Sequence, residues 1–253
     1  MFLIRSMASS PNNYVNLEVM GVSLYDICSF VEDVHILTCE KGTLFRGPSA
    51  VLPVDGLYVF FEVGQEIVIR SREFNRIVRI GINEKPNNFR SRIREHYNGN
   101  IEGSVFRENI GWALLESRGK KPLETYRTKK NYRKQNSGGD LEREISNYFC
   151  KAFTYKAFKI DYDELETYEA IMIAAFSIYY QLKTFKKELD VGNWLGKHSY
   201  SLHDKIKRSS LWNSEGVMLM DELSLSGRVQ IDEKTVPLSK LNRVFEGLTR
   251  NII

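Results

Sequence analysis

The hydrophobic pattern changes period several times along the chain, and each change marks an element. Tyr14 to Met20 is a short strand-like run in an otherwise loosely held entry segment. From Ser23 onward, Leu24, Ile27, Cys28, Val31 and Val34 recur at helical spacing, with Ser23 placed to cap the start. Gly42, Gly47, Pro48 and Pro53 then break the pattern into a loop. Leu57 to Val63 alternates as a strand, and Gly64 predicts its turn. Ile67 to Ile69 extends the hairpin before a charged connection, Arg70 to Glu73, and Ile77 to Ile82 is the partner strand.

Helical spacing returns after Pro86, where Phe89, Ile93 and Tyr97 form a buried stripe. Further helices are predicted over about Ser104 to Glu116 and from Asp140 through Phe149. Phe153 to Ile160 reads as a third strand and Tyr162 to Glu188 as a long helix. A hairpin over Leu223 to Ile231 and a helix over Pro237 to Leu248 complete the pattern.

Strand geometry then groups side chains. In Leu57 to Phe61 the apolar face is Leu57, Val59 and Phe61, which leaves Tyr58 and Phe60 on the other. Val78, Ile80 and Ile82 form one face of the partner, with Arg79 opposite. If both apolar faces cover one core, Tyr58 and Arg79 share the other side of the sheet. On the next helix, Arg92 and His96 are four apart and stacked, beside the apolar stripe. Phosphodiester cleavage needs such a set: cations to offset phosphorane charge and a base to activate water.

Composition narrows the classes. The chain has 253 residues, of which 42% are hydrophobic, so it can bury a sizeable core and is not disordered. A net charge of +4 permits a nucleic-acid partner without demanding one. Cys28, Cys39 and Cys150 show no metal or disulfide spacing, and no apolar run reaches membrane-span length. A cytoplasmic protein with reduced thiols and no membrane partner is expected. Residues 118 to 134 hold eight basic side chains against one acidic, with Tyr126 and Tyr132 between them. Lys120, Lys121, Arg127, Lys129 and Lys130 in that run are candidates for the DNA backbone, a solvated loop being the plainer reading; Arg107 before it can equally contact phosphate or pair with neighbours of Glu108.

Gly56-Leu57-Tyr58, Arg79-Ile80-Gly81, and Arg92 followed four residues later by His96 resemble the GIY-YIG nuclease superfamily. Gly99-Asn100, Ser104-Val105-Phe106-Arg107 and Ile110-Gly111 are similar to its uncharacterised bacterial members. The resemblance implies an α/β (α+β) fold with a small, mainly antiparallel three-stranded sheet flanked by helices. It places the nuclease domain at 51–215, with an N-terminal helical extension at 1–50 and a C-terminal extension at 216–253.

The resemblance also implies hydrolysis with one divalent metal, Mg²⁺ or Mn²⁺, held by a glutamate on a later helix. Glu169 fits on independent grounds. Leu165, Met172, Ile173 and Phe176 surround it at helical spacing, and a carboxylate along an apolar stripe needs a compensating cation. A salt bridge to a structural arginine is the plainer reading of the same residue. The family's asparagine is matched best by Asn193, which can equally serve as a turn residue before Trp194.

Arg79 is the departure, because the family commonly has tyrosine there. Restriction enzymes of the superfamily place a lysine at this point. Arginine stays protonated, so its expected role is to position phosphate or water. The base is Tyr58 or His96, and Arg92 neutralises developing charge. The expected function is therefore a metal-dependent DNA endonuclease of restriction or defence type, with a homodimer as one way to cut both strands. The alternative is a catalytically inactive nucleic-acid-binding protein on the same scaffold.

Overall fold

The computed structural model describes residues 18–19, 22–120, 139–199, 204–220 and 238–253. Three antiparallel strands form the central sheet: β1 (Leu57–Ile69), β2 (Arg72–Ile82) and β3 (Phe153–Phe158), in the order β2-β1-β3. Helices cover both faces, so the architecture is mixed α/β in three layers.

Alternation along β1 divides the core in two. Leu57, Val59 and Phe61 face α1 (Leu24–Glu40) and the long helix α5 (Tyr162–Phe185). Tyr58 and Phe60 face α2 (Phe89–Asn98), α3 (Val105–Glu116) and α4 (Asp140–Ala152). Ser23 accepts the Asp26 amide at the start of α1, and Ser104 accepts the Arg107 amide at the start of α3. A six-residue helix, α6 (Asp204–Ser209), precedes the segment that runs to Met220, and α7 (Leu241–Asn251) packs back on α1 and α5. Both α1 and α7 thus help build the core of the first face, although each lies in an extension by sequence.

The hairpin differs from its predicted form in two places. Gly64 does not make the turn. It lies within β1 at φ +78, where the ladder is irregular between Phe61 and Glu66. The chain reverses at Arg70 and Ser71, which both hold positive φ (48 and 63), as a tight two-residue hairpin turn requires. Arg70 pairs with Glu32 and Asp33 of α1 at 3.1 and 2.8 Å, which pins the hairpin tip.

The second difference is a register shift beside the site. Phe60 pairs with Arg79 but Phe61 pairs with Ile77, so Val78 is the extra residue of a bulge. Val78 consequently joins the core on the Tyr58 side, not the Ile80 side as strict alternation predicts.

Both sheet edges are covered. Along β2, the Trp212 amide donates to the Val78 carbonyl at 2.7 Å, and Asn213 grips Ile80 through both of its amide atoms, at 3.1 and 2.9 Å. Along β3, Phe45 exchanges two backbone hydrogen bonds with Tyr155, and Ile253 donates to Ala157. Such cover removes unpaired strand groups that would otherwise recruit another chain. Among the described residues no helix is long and apolar enough to cross a membrane.

Candidate active site

Tyr58 and Gly81 face each other directly across β1 and β2. The tyrosine ring lies over the glycine, and a Cβ at residue 81 would collide with the phenol hydroxyl. Gly56 serves a similar purpose two residues before Tyr58, where a Cβ would strike the Phe158 carbonyl. Its amide donates to the buried Asn83 side chain at 2.9 Å, and Asn83 in turn donates to Asp55. The two glycines are therefore required by close approach: one seats the strand, the other lets the phenol pass.

The phenol reaches His96 on α2, with 2.8 Å between Tyr58 Oη and His96 Nε2. The other ring nitrogen, Nδ1, lies 2.9 Å from Ser104 Oγ at the start of α3. Both Tyr58 and His96 are fully buried. Burial, joined by the charges of Arg92, Arg79 and Arg107, holds the imidazole well below its ordinary value, so it is neutral near pH 7. Burial raises the Tyr58 phenol, while Arg92 and Arg79 pull it back down and Glu169 adds to the rise.

Arg79 and Arg92 are each 8% exposed. Arg79 spans the Phe106 ring and donates to the Trp212 carbonyl at 3.0 Å. Arg92 pairs with Glu84 at 2.9 Å and Glu95 at 3.2 Å, and donates to the Gly103 carbonyl. Glu169 enters from α5. Burial raises its carboxyl to about 7, against the lowering pull of Arg79 and Arg92; Glu215 and Glu84 add to the rise. Among the described residues it has no hydrogen-bond or ion-pair partner of its own. Tyr58, Arg79, Arg92 and His96 thus share one electrostatic neighbourhood, and Glu169 faces its two arginines and the phenol.

Other sequence candidates stand elsewhere. Arg107 is not available to DNA. It is fully buried, pairs with Glu142 at 2.8 Å, and donates to the His96 and Tyr97 carbonyls at the end of α2. It therefore closes a helix terminus and fixes the backbone that carries His96. Asn193 lies exposed in a turn, and no contact among the described residues ties it to Tyr58, Arg92 or Glu169. The neighbouring Trp194 sets that turn by donating to Glu62 at 3.0 Å. Lys120 is exposed just beyond α3. Lys121, Arg127, Lys129 and Lys130 lie outside the described residues, as does the hairpin expected at Leu223 to Ile231.

Two residues that sequence reasoning missed support the site. Asn213 holds the β2 edge between Arg79 and Gly81. Glu62, buried within β1, accepts the indoles of Trp194 and Trp212 and so fixes the segment whose carbonyl receives Arg79. Glu62 follows a run of apolar strand residues, and a carboxylate there is the one feature that could have flagged it.

Comparison with known families adds the deciding observation: the model of the GIY-YIG domain matches residues 38–227, well over half of the chain. The chain belongs to the GIY-YIG domain family. No curated protein and no solved structure matches it. GIY-YIG domains are endonuclease-type hydrolases acting on DNA, and they generally use divalent metal ions. Among the described residues no group of three His, Cys, Asp or Glu gathers as a metal cage. Glu169 alone fits a hard divalent ion that keeps most of its waters, because such ions need only one or two carboxylates beside substrate phosphate oxygens. Its raised carboxyl, without a partner among the described residues, is the group a cation would relieve.

Proposed function

We propose that this GIY-YIG protein is a metal-dependent endonuclease that hydrolyses DNA phosphodiester bonds, of the restriction or defence type. The observation that carries the reading is the buried Tyr58–His96 hydrogen bond set between two arginines and Glu169. Glu169 is the residue that would hold Mg²⁺ or Mn²⁺, which when bound offsets charge on the scissile phosphate. Arg92 faces the phosphate and balances charge that develops in the transition state. Arg79 positions phosphate or water, and its positive charge at the second motif supports placing the chain with restriction-type members. The Tyr58–His96 pair supplies the base.

Tyr58 is covered in the DNA-free chain, and the residual exposure of the cluster lies at Arg79, Arg92 and Glu169. DNA would enter there, and Arg92 would exchange Glu84 and Glu95 for phosphate. Lys120, exposed beyond α3, and Lys121, Arg127, Lys129 and Lys130, which follow it in the sequence, would hold the backbone of the duplex. Residues 51–215 carry the nuclease domain in this reading, and the segments at 1–50 and 216–253 are additions, of which the described helices α1 and α7 pack into its core. One site cuts one strand, so a double-strand break takes a homodimer or two encounters. The free thiols of Cys28, Cys39 and Cys150 suit action in the cytoplasm.

The burial of Tyr58 also favours a second reading, a catalytically inactive DNA-binding protein on this scaffold. Incubation of supercoiled plasmid with Mg²⁺ separates the two. Nicked circles with the native chain, absent with Glu169→Ala and with chelator, are the expected result. Salt-dependent DNA binding without any cleavage would favour the silent protein, and cleavage by the alanine variant would remove Glu169 from its role.

A further inference from the structure

His96 is held from both sides, and only one of its partners belongs to the reaction described above. Tyr58 Oη lies 2.8 Å from Nε2, and Ser104 Oγ lies 2.9 Å from Nδ1. Ser104 is 1% exposed and His96 is fully buried, so no bulk water competes for these contacts. Ser104 Oγ also accepts the Arg107 amide at 3.2 Å as the cap of α3.

A neutral imidazole carries its proton on one nitrogen and accepts on the other. If Nδ1 held the proton, Ser104 would receive two donors, from His96 and from Arg107. Its own hydroxyl hydrogen would then point into the protein interior with no acceptor among the described residues. If Nε2 holds the proton, Ser104 donates to Nδ1 and accepts from Arg107, and all of its partners are used. The uncommitted hydrogen then belongs to Tyr58, at the end of the chain that faces the arginines and Glu169. There it can pass to solvent before the phenolate meets the attacking water.

Ionisation of Tyr58 requires the same arrangement. A phenolate cannot donate, so His96 must donate to it. Burial and three neighbouring arginines keep the ring neutral, so the donated hydrogen must sit on Nε2 while Nδ1 accepts.

Resting on the nuclease reading, we propose that Ser104 is a positioning residue that fixes the tautomer of His96, making Nε2 a hydrogen-bond donor to the Tyr58 oxygen. Once Tyr58 has released its own proton to solvent, its phenolate is the group that takes the proton from the attacking water, and His96 steadies that phenolate by donation rather than acting as the base. Ser104 thereby joins two tasks in one hydroxyl: it starts α3, and it orients the histidine of α2. An unlinked serine at a helix start would do the first without the second.

Nitrogen-15 NMR of the histidine rings in the full-length, DNA-free protein tests this. The His96 signals are assigned by their loss in His96→Gln. The expected native state has a protonated Nε2 and a bare Nδ1. Ser104→Thr, which keeps the hydroxyl, should retain that state and cleave within a few-fold of native. Ser104→Asp still caps α3 but cannot donate when ionised. It should move the proton to Nδ1 and lower kcat by roughly a hundredfold or more, with KM little changed, as a wrong histidine tautomer does elsewhere.

A native ring protonated on Nδ1 would overturn the proposal even if neither variant folds. So would an aspartate variant with unchanged tautomer and rate. Because the tautomer is read without DNA, the proposal and the nuclease reading fail separately. A tautomer that follows residue 104 in a protein that cleaves nothing refutes the nuclease alone.

Discussion

The hydroxyl of Tyr58 occupies the space that a side chain on Gly81 would need, directly across the strand pair. The two motifs that carry the family resemblance are therefore two halves of one contact. Gly81→Ala keeps an ordinary backbone at a strand position, so its effect falls on the tyrosine. Overpacking should cost about 1–3 kcal/mol in denaturant unfolding. Displacement of the phenol from His96 should lower cleavage by roughly a hundredfold or more. Retention of full activity would show that the phenol's placement does not matter to the reaction.

Glu169 should trade stability for function. Its carboxyl moves from 4.5 to about 7 on folding, mainly through burial. Below pH 4.5 folded and unfolded chains both hold the proton, and between there and pH 7 the folded chain alone holds it. Stability from this group is therefore present at low pH, falls as pH rises across that window, and levels off above it. Glu169→Gln should stabilise the metal-free protein above pH 7 by about 1–3 kcal/mol, allowing for partial solvent screening. Added Mg²⁺ should raise the melting temperature of the native chain and leave that of the glutamine variant unchanged. Equal shifts in both would place the ion elsewhere.

Arg107 illustrates how far pattern alone can mislead. It lies in a Ser-Val-Phe-Arg run near a basic segment, which suggested phosphate, yet it is sealed between α2, α3 and α4. Arg107→Ala should cost about 3–5 kcal/mol, because Glu142 is left buried without its cation. The paired change Arg107→Met with Glu142→Leu should recover much of that loss. A small loss for the alanine variant, accompanied by a weaker salt dependence of DNA binding, would restore the phosphate role.

In the proposed reading Glu84 would compete with DNA for Arg92. The pair is 2.9 Å long and the glutamate side chain is 69% exposed, so the contact itself is weak. Glu84→Gln should tighten DNA binding several-fold at fixed salt while changing kcat little, as titration of labelled duplex would show. Unchanged affinity would mean that Arg92 does not meet the backbone.

Much of the fold was legible because the periods of its apolar residues are clean. Leu57, Val59 and Phe61 against Tyr58 and Phe60 defined the two faces of β1, and Leu165, Met172, Ile173 and Phe176 marked the buried stripe that borders Glu169. What escaped depends on irregularity or distant partners. The bulge at Val78 breaks alternation without a glycine or proline to announce it. The turn at Arg70 and Ser71 uses residues that seldom take positive φ, stabilised by ion pairs to α1 that sequence does not display. Asn213 matters through the strand it grips 133 residues away.

The claim that decides the account is attack by water on a phosphorus beside Tyr58, with the 3′-oxygen leaving. Single-turnover reaction of a duplex with native protein and Mg²⁺ in oxygen-18-labelled water measures it. Label in the 5′-phosphate of the product, and none of that product with Tyr58→Phe or Glu169→Ala, is the expected result. Absence of any cleavage by the native chain, DNA covalently joined to Tyr58, or labelled product from the phenylalanine variant at the native rate would contradict it.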